Sequence, residues 1–253
     1  VVDLGENVRF IPSGNSITRV GEPTGSFFGW QTEGIFQNQA EINAAAVQNG
    51  NRTNTRPGDV RFRDVDNSGV IDANDRVVIG SPHPDWIFGM TNTFSYRGLD
   101  LSVFLNGVQG NEVHNNTRER LEVLTGVANA TVATLSRWTS EQNPGNGTMP
   151  RATTQDPNNN RRFSNRWIED GSFLRIRNIT LGYNLPDALL RPLRIQRLRL
   201  YATVQNLHTF TRYTGYDPEF SRNNGIVNPL NFGVDDSNYP VPRTYMLGLN
   251  LQF

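Results

Sequence analysis

The stretch VPRTYMLGLNLQF, residues 241–253, changes character residue by residue. Tyr245, Leu247, Leu249, Leu251 and Phe253 share one parity, and Thr244, Met246, Gly248, Asn250 and Gln252 share the other. A period of two is that of a β-strand, whose side chains point to opposite faces in turn. An apolar-out, polar-in strand of about ten residues is the unit of a transmembrane β-barrel, where lipid covers one face and a wet lumen the other.

Four earlier stretches carry the same pattern. In WIFGMTNTFSY, Trp86, Phe88, Met90, Phe94 and Tyr96 share a face interrupted by Asn92, with Gly89, Thr91, Thr93 and Ser95 opposite. After Arg97-Gly98, Leu99, Leu101, Val103 and Leu105 repeat the spacing, which predicts a hairpin with a tight turn. Residues 172–185 place Ile179, Leu181, Tyr183 and Leu185 against Thr180, Gly182 and Asn184. Strict alternation puts Arg175 and Arg177 on that apolar face, above the membrane band. Residues 197–206 set Leu198, Leu200, Ala202 and Val204 against Arg199, Tyr201, Thr203 and Gln205.

The connections sort by length. With Phe253 at the periplasmic end, the short turns Arg97-Gly98 and PDALLRPLRIQ fall on the periplasmic side. The polar stretches 1–85, about 108–171 and about 207–242 then fall outside, as barrels of this type require. Trp86 and Tyr245 lie near the outer interface, and Tyr96, Tyr183 and Phe253 near the inner one, where aromatic girdles sit. Two regions follow: 1–85, an extracellular loop region, and 86–253, five strands with long loops. Five strands cannot close a barrel, for which about eight is the practical minimum. The expectation is the C-terminal part of a larger barrel. A soluble sandwich, which also has short alternating strands and Gly/Pro/Asn-rich connections, stands as the alternative.

Composition agrees with a barrel and excludes other classes. Hydrophobic residues make up 36% of 253, and no apolar run approaches the roughly 18 residues of a membrane-spanning helix. A formal net charge of zero argues against nucleic acid as a partner. The chain has no cysteine, hence no disulfide or zinc-thiolate site. VVDLGENVRF has no basic n-region, apolar h-region or cleavage site of a secretory leader.

DVDNSGVIDAND, residues 64–75, has the spacing of an EF-hand-like calcium loop. Asp64, Asp66, Ser68, the carbonyl of Val70, Asp72 and Asp75 occupy positions 1, 3, 5, 7, 9 and 12, and Gly69 stands where such a loop turns sharply. Calcium takes six to eight hard oxygen ligands, which short Asp side chains on alternate residues supply. Ser68 in place of Asp or Asn, and Asp75 in place of a bidentate Glu, weaken the set. The flanks GDVRFRDV and RVVIG read as strands, so the expected role is a structural calcium that pins an outer loop. A solvated Asp/Asn/Gly turn is the competing reading.

An enzyme is not expected. His83, His114 and His208 fall in loops or at strand ends, and neither Gly-x-Ser-x-Gly nor His-Glu-x-x-His accompanies them. The acidic pairs Glu169/Asp170 and Asp235/Asp236 have no inferable geometry for hydrolysis. Trp138, Trp167, Tyr213 and Tyr216 lie in the loops, where aromatics either stack on sugar rings or pack the loops together.

These segments together resemble the SusC/RagA family of TonB-dependent outer-membrane transporters. The resemblance runs through GSFFGWQTEGIFQNQAEI at 25–42 and the long block from PGDVRF to EVHN at 57–115. It continues in RWIEDGSFLRIRNITLGYNLP at 166–186, RLRLYATVQNLHTFTRYTGYDPE at 197–219 and the terminal strand, whose last residue is aromatic as in many bacterial outer-membrane barrels. It implies an all-β fold, the C-terminal strands of a barrel of about 22 antiparallel strands plugged by an N-terminal domain that is not among these residues. It also implies multi-pass insertion in the outer membrane and import of a glycan oligomer or peptide. The implied partners are TonB, acting through the plug region, and a SusD-like surface lipoprotein as lid. A secreted, calcium-stabilised carbohydrate-binding sandwich is the alternative of a different class.

Overall fold

The computed structural model describes residues 1–126, 129–220, 230 and 232–253. The chain divides into two compact units. One comprises Pro84–Asn111, Asp170–Phe220 and Tyr239–Phe253. Its strands are β1 Trp86–Tyr96, β2 Leu99–Gln109, β3 Phe173–Asn184, β4 Arg197–Thr211 and β5 Thr244–Gln252. They form one five-stranded sheet in sequence order, every pair antiparallel. Between β1 and β2, Arg97 and Gly98, both at positive φ (47° and 86°), supply the primed turn that suits strand twist.

The registry builds two faces. Phe94, Leu101, Leu181, Ala202 and Leu247 are successive partners across the five strands. One residue away, Thr93, Ser102, Thr180, Thr203 and Met246 form the next row on the other face. The first face is not covered by protein: Leu247 is 88% exposed, Phe94 62% and Leu181 50%. The sheet is open, with β1 and β5 as its edges. Among the described residues no helix is long and apolar enough to cross a membrane.

β3 departs from the pattern read in the sequence. Its register shifts between Ile176 and Asn178 against both neighbours, a β-bulge that exchanges the faces beyond it. Ile176 and Leu174 thereby continue the apolar face, paired with Leu105 and Gly107. Arg175, expected on the apolar side, instead joins the polar side between Asn106 and Thr209.

The second unit comprises the described residues of Val1–His83, Glu112–Glu169 and Ser221–Asn238. Residues 112–169, read from sequence as an outer loop, therefore belong to a folded body together with 1–83. It is built of small sheets: Phe10–Ser13, Ser16–Arg19, Ser26–Gly29 and Val77–Gly80 in one, Thr32–Ile35 with Val60–Phe62 in another. Ile35, Val60, Phe62 and Ile71 form a core cluster, edged by Trp30, Ala46 and Trp138.

Polar side chains replace much of the missing apolar core. Asp59 is fully buried and pairs with Arg151 at 2.7 Å, while Asn160 Nδ2 donates to it at 3.0 Å. The amide oxygen of Asn160 accepts from the backbone N of Val60 at 2.9 Å. Asn158 Nδ2 donates to the Val60 carbonyl at 2.9 Å. Such side chains satisfy backbone groups that irregular segments leave unpaired and that would be costly to bury bare.

Candidate functional site

The acidic loop is anchored to the core of its unit from both sides. Ile71, 3% exposed, is the buried apolar residue in the second half of the loop and enters the core cluster. The backbone N of Val47 donates to Gly69 O at 2.9 Å, and that of Ile71 to Val47 O at 2.8 Å. Trp30 Nε1 donates to the carbonyl of Asp72 at 2.8 Å. Gly69, at φ +82°, meets no neighbour where a Cβ would stand; its requirement is the left-handed turn itself.

Within the loop, Asp64, Asp66 and Asp75 each bring a carboxylate oxygen to within 4.8 Å of the others. Asp64 accepts from the backbone N of Ser68 at 3.1 Å and of Gly69 at 2.8 Å. Asp75, fully buried, accepts from the backbone N of Val65 at 2.8 Å and of Asp72 at 2.7 Å. Hydrogen bonds from the hydroxyl and the backbone of Ser68 hold the exposed Asp66 carboxyl below the usual carboxylate range. The other three expected ligands are arranged differently. Asp72 caps a short 3-10 helix, Ala73–Asp75, accepting from Asn74 N at 2.7 Å, and Ser68 Oγ donates to the Val70 carbonyl at 3.0 Å. Position 9 in such loops often ligates through water, which a capping Asp72 allows. The flanks are strands, Val60–Phe62 before and Val77–Gly80 after.

On the sheet, the polar face is built from hydroxyls, amides and spanned glycines. Thr180 Oγ1 and Thr203 Oγ1 lie 2.9 Å apart. Arg199 on β4 reaches over Gly182 of β3 to pair with Asp100 on β2, its Nε donating at 3.0 Å. A Cβ at Gly182 would stand 2.3 Å from the guanidinium. Tyr201 covers Gly248 in the same way, with its ring 2.4 Å from where a Cβ would stand. A glycine opposite a large side chain is thus the device that lets long polar groups lie flat on this wall.

No family model matches the chain. It is 35% identical, over 97% of its length, to TonB-dependent receptor P3 of Formosa agariphila. It is 36% identical, over its full length, to TonB-dependent receptor P26 of the same organism. It is 30% identical, over 79% of its length, to TonB-dependent receptor SusC of Bacteroides thetaiotaomicron. The chain belongs to the SusC/RagA family of TonB-dependent outer-membrane transporters. It spans about a quarter of the length of the first two relatives, 24% and 26%, and 18% of the third. Its fold matches one chain in the structure of the RagAB peptide importer in the open-open state, with a TM-score of 0.75 at 24% identity, over all of this chain and 25% of that one. A second RagAB peptide transporter structure gives 0.74 at 23% identity, over 99% of this chain and 25% of that one.

Members of this family are outer-membrane β-barrels and are transporters or receptors, not enzymes. His114, 4% exposed, is bonded to Glu119 at 2.8 Å, and His83 is bonded to the Thr24 carbonyl at 2.8 Å. Of the loop aromatics, Trp167 is fully buried, Tyr213 is 6% exposed and Tyr216 is 65% exposed. Trp138 packs against Gly58. Three of the four pack the protein, and Tyr216 alone presents a ring to solvent. Sequence reasoning missed the buried ion cluster around Arg175, because alternation without the bulge sends that residue to the wrong face.

Proposed function

We propose that this chain is the C-terminal wall of a barrel of about 22 strands that imports a nutrient, a glycan oligomer or a peptide, across the bacterial outer membrane. The strands cross the membrane as a multi-pass wall. Energy comes from TonB through a plug outside these residues, and a SusD-like lipoprotein closes the extracellular side. The observation that carries the reading is the bare apolar face of the sheet, Leu247 at 88% exposure above all. A sandwich buries that face against a second sheet, whereas lipid covers it in a barrel. The hydroxyl- and amide-rich opposite face suits a wet lumen and ligands that offer many hydrogen bonds. RagAB is a peptide importer, and the relatives are TonB-dependent receptors, which supports the transport class.

The acidic loop is the second element of the proposal. Three carboxylates within 4.8 Å repel by about 1 kcal/mol per pair in water, and more where one is buried. A hard divalent cation removes that repulsion, and the all-oxygen donor set is the kind calcium takes. Asp64, Asp66 and Asp75 hold the ion, with Ser68, Val70 and Asp72 supplying the remaining oxygens directly or through water. Its role is to fix this loop to the backbone at Val47 and to Trp30.

The test of the transport reading is detergent extraction of the whole receptor from its native membrane, followed by identification of co-purifying chains. Extraction only by detergent, together with a surface lipoprotein, supports it. Release into aqueous buffer without a partner contradicts it and favours a secreted binding module.

A further inference from the structure

The connection between β4 and β5 leaves the sheet after Thr211 and returns through Tyr239–Arg243 to Thr244. Its outgoing stem turns back over the polar face. Tyr213, 6% exposed, lays its ring on Gly215, where a Cβ would stand 2.4 Å from Tyr213 Cε1. Asp217 and Glu219 then reach Arg175, which the bulge in β3 has turned to this face.

Arg175 is 2% exposed, and each arm of its guanidinium is used. Nε donates to Thr209 Oγ1 at 2.7 Å, one Nη to Glu219 at 2.7 Å and the other to Asp217. Asp217 also accepts from the backbone N of Glu219 at 2.9 Å and of Val241 at 3.3 Å. One carboxylate therefore holds the outgoing stem, the returning stem and the wall together. A planar fork with fixed donors suits three partners at once in a way that an ammonium group does not.

The cluster has two unequal halves. The Arg175 and Asp217 side chains are 2% and 7% exposed, so removing either leaves a buried charge without its partner, which is strongly destabilising. Arg177 and Glu219 are 37% and 38% exposed, where water screens the pair and its loss costs little.

We infer that Arg175 is the positioning residue of the β4–β5 connection: with Asp217 it fixes both stems on the polar side of the sheet, and Arg177–Glu219 is a dispensable outer contact. Under the proposed function, on which the direction of this statement rests, the polar side is the lumen. Its two stems are then rooted on the lumen side of the wall instead of splaying toward lipid.

The experiment uses the full-length receptor in outer-membrane vesicles. Cleavage between Tyr213 and Glu219 by a broad-specificity protease is followed by mass spectrometry, and heat-modifiable migration in detergent gels reports barrel integrity in the same samples. Arg175→Gln and Asp217→Asn are each expected to raise the cleavage rate by about 100-fold or more, with the barrel intact. Arg177→Gln, which removes only the outer contact and leaves Glu219 on Arg175, is expected to raise it by less than about fivefold. Arg175→Lys, which keeps charge but loses the fork, falls between. If Arg175→Gln prevents barrel assembly, Asp217→Asn decides the matter, because Asp217 lies off the sheet. A wild-type cleavage rate in Asp217→Asn, or equal rates in Arg177→Gln and Arg175→Gln, overturns the assignment. Absence of heat-modifiable migration in the wild type removes the barrel reading, while the cleavage ratios still test Arg175.

Discussion

The two units of this chain are built inside out relative to each other. In the sheet, apolar side chains are outside: Leu247, Leu249 and Phe253 are 88%, 60% and 78% exposed. In the loop unit, polar side chains are inside: Asp59, Asn158, Asn160 and Asp75 are all at most 1% exposed. Both arrangements lower overall hydropathy, for different reasons. The sheet spends half of each strand on a wet face, while the loop unit substitutes hydrogen bonds and ion pairs for apolar burial. On the proposed reading the sheet needs an apolar solvent on one face and water on the other, whereas the loop unit depends on every buried polar partner being present.

The largest effect expected from this contrast lies in the loop unit. Asp59→Ala leaves Arg151, Asn160 Nδ2 and the backbone N of Arg56 without their acceptor. Orphaning a buried pair costs about 3–5 kcal/mol. Residues 1–83 should become protease-sensitive while the sheet keeps its heat-modifiable migration. Unchanged protection would mean that the polar interior is not what holds this unit.

Leu247→Arg comes next. A charge on the lipid face costs about 2–4 kcal/mol near the bilayer midplane, so the folded fraction of full-length receptor recovered in the outer membrane should fall. The neighbour Met246, on the other face, should accept Arg with little loss. Equal tolerance of the two substitutions would break the inside-out description of the sheet.

The acidic loop, with the calcium proposed for it, sharpens the comparison on the other side. At a hundredfold excess over the dissociation constant, a bound ion adds about 2.7 kcal/mol. Chelation should therefore speed protease cleavage within 64–75, and Asp64→Ala with Asp75→Ala should abolish that calcium dependence. Asp75 also accepts from two backbone N–H groups, so its loss loosens the loop even without metal. Asp66→Asn, at an exposed position, is the cleaner variant: calcium dependence should fall while the chelated rate stays at the wild-type value. Identical cleavage with and without chelator in the wild type would remove the metal.

The sheet was far more legible in the sequence than the loop unit. A strand that on the proposed reading has lipid on one face and water on the other must alternate, so period two marked all five strands, although the expected 197–206 stops five residues short of Thr211. The exception is instructive. A bulge adds one residue without leaving a composition signal, so Arg175 and Arg177 read as apolar-face residues until pairing showed Ile176 beside Leu105. The acidic loop was legible through its Asp spacing, although the spacing did not reveal that Asp72 turns to cap Asn74. The loop unit was not legible as a folded body. Its contacts join residues about a hundred apart, such as Thr55 with Asn158, and no local period records them. Nor does the sequence separate Ile71, which docks on the core, from Val65 and Val70 in the same loop, which stay exposed.

The central claim is that one face of the sheet meets lipid and the other meets water. Single cysteines placed from Tyr245 to Gln252 in a cysteine-free full-length receptor, carrying an environment-sensitive label in native-like bilayers, test it residue by residue. The account predicts quenching by a lipid-borne nitroxide at Tyr245, Leu247, Leu249 and Leu251, and quenching by a water-soluble reagent at Met246, Gly248, Asn250 and Gln252. Uniform access to the water-soluble reagent along the strand would contradict it.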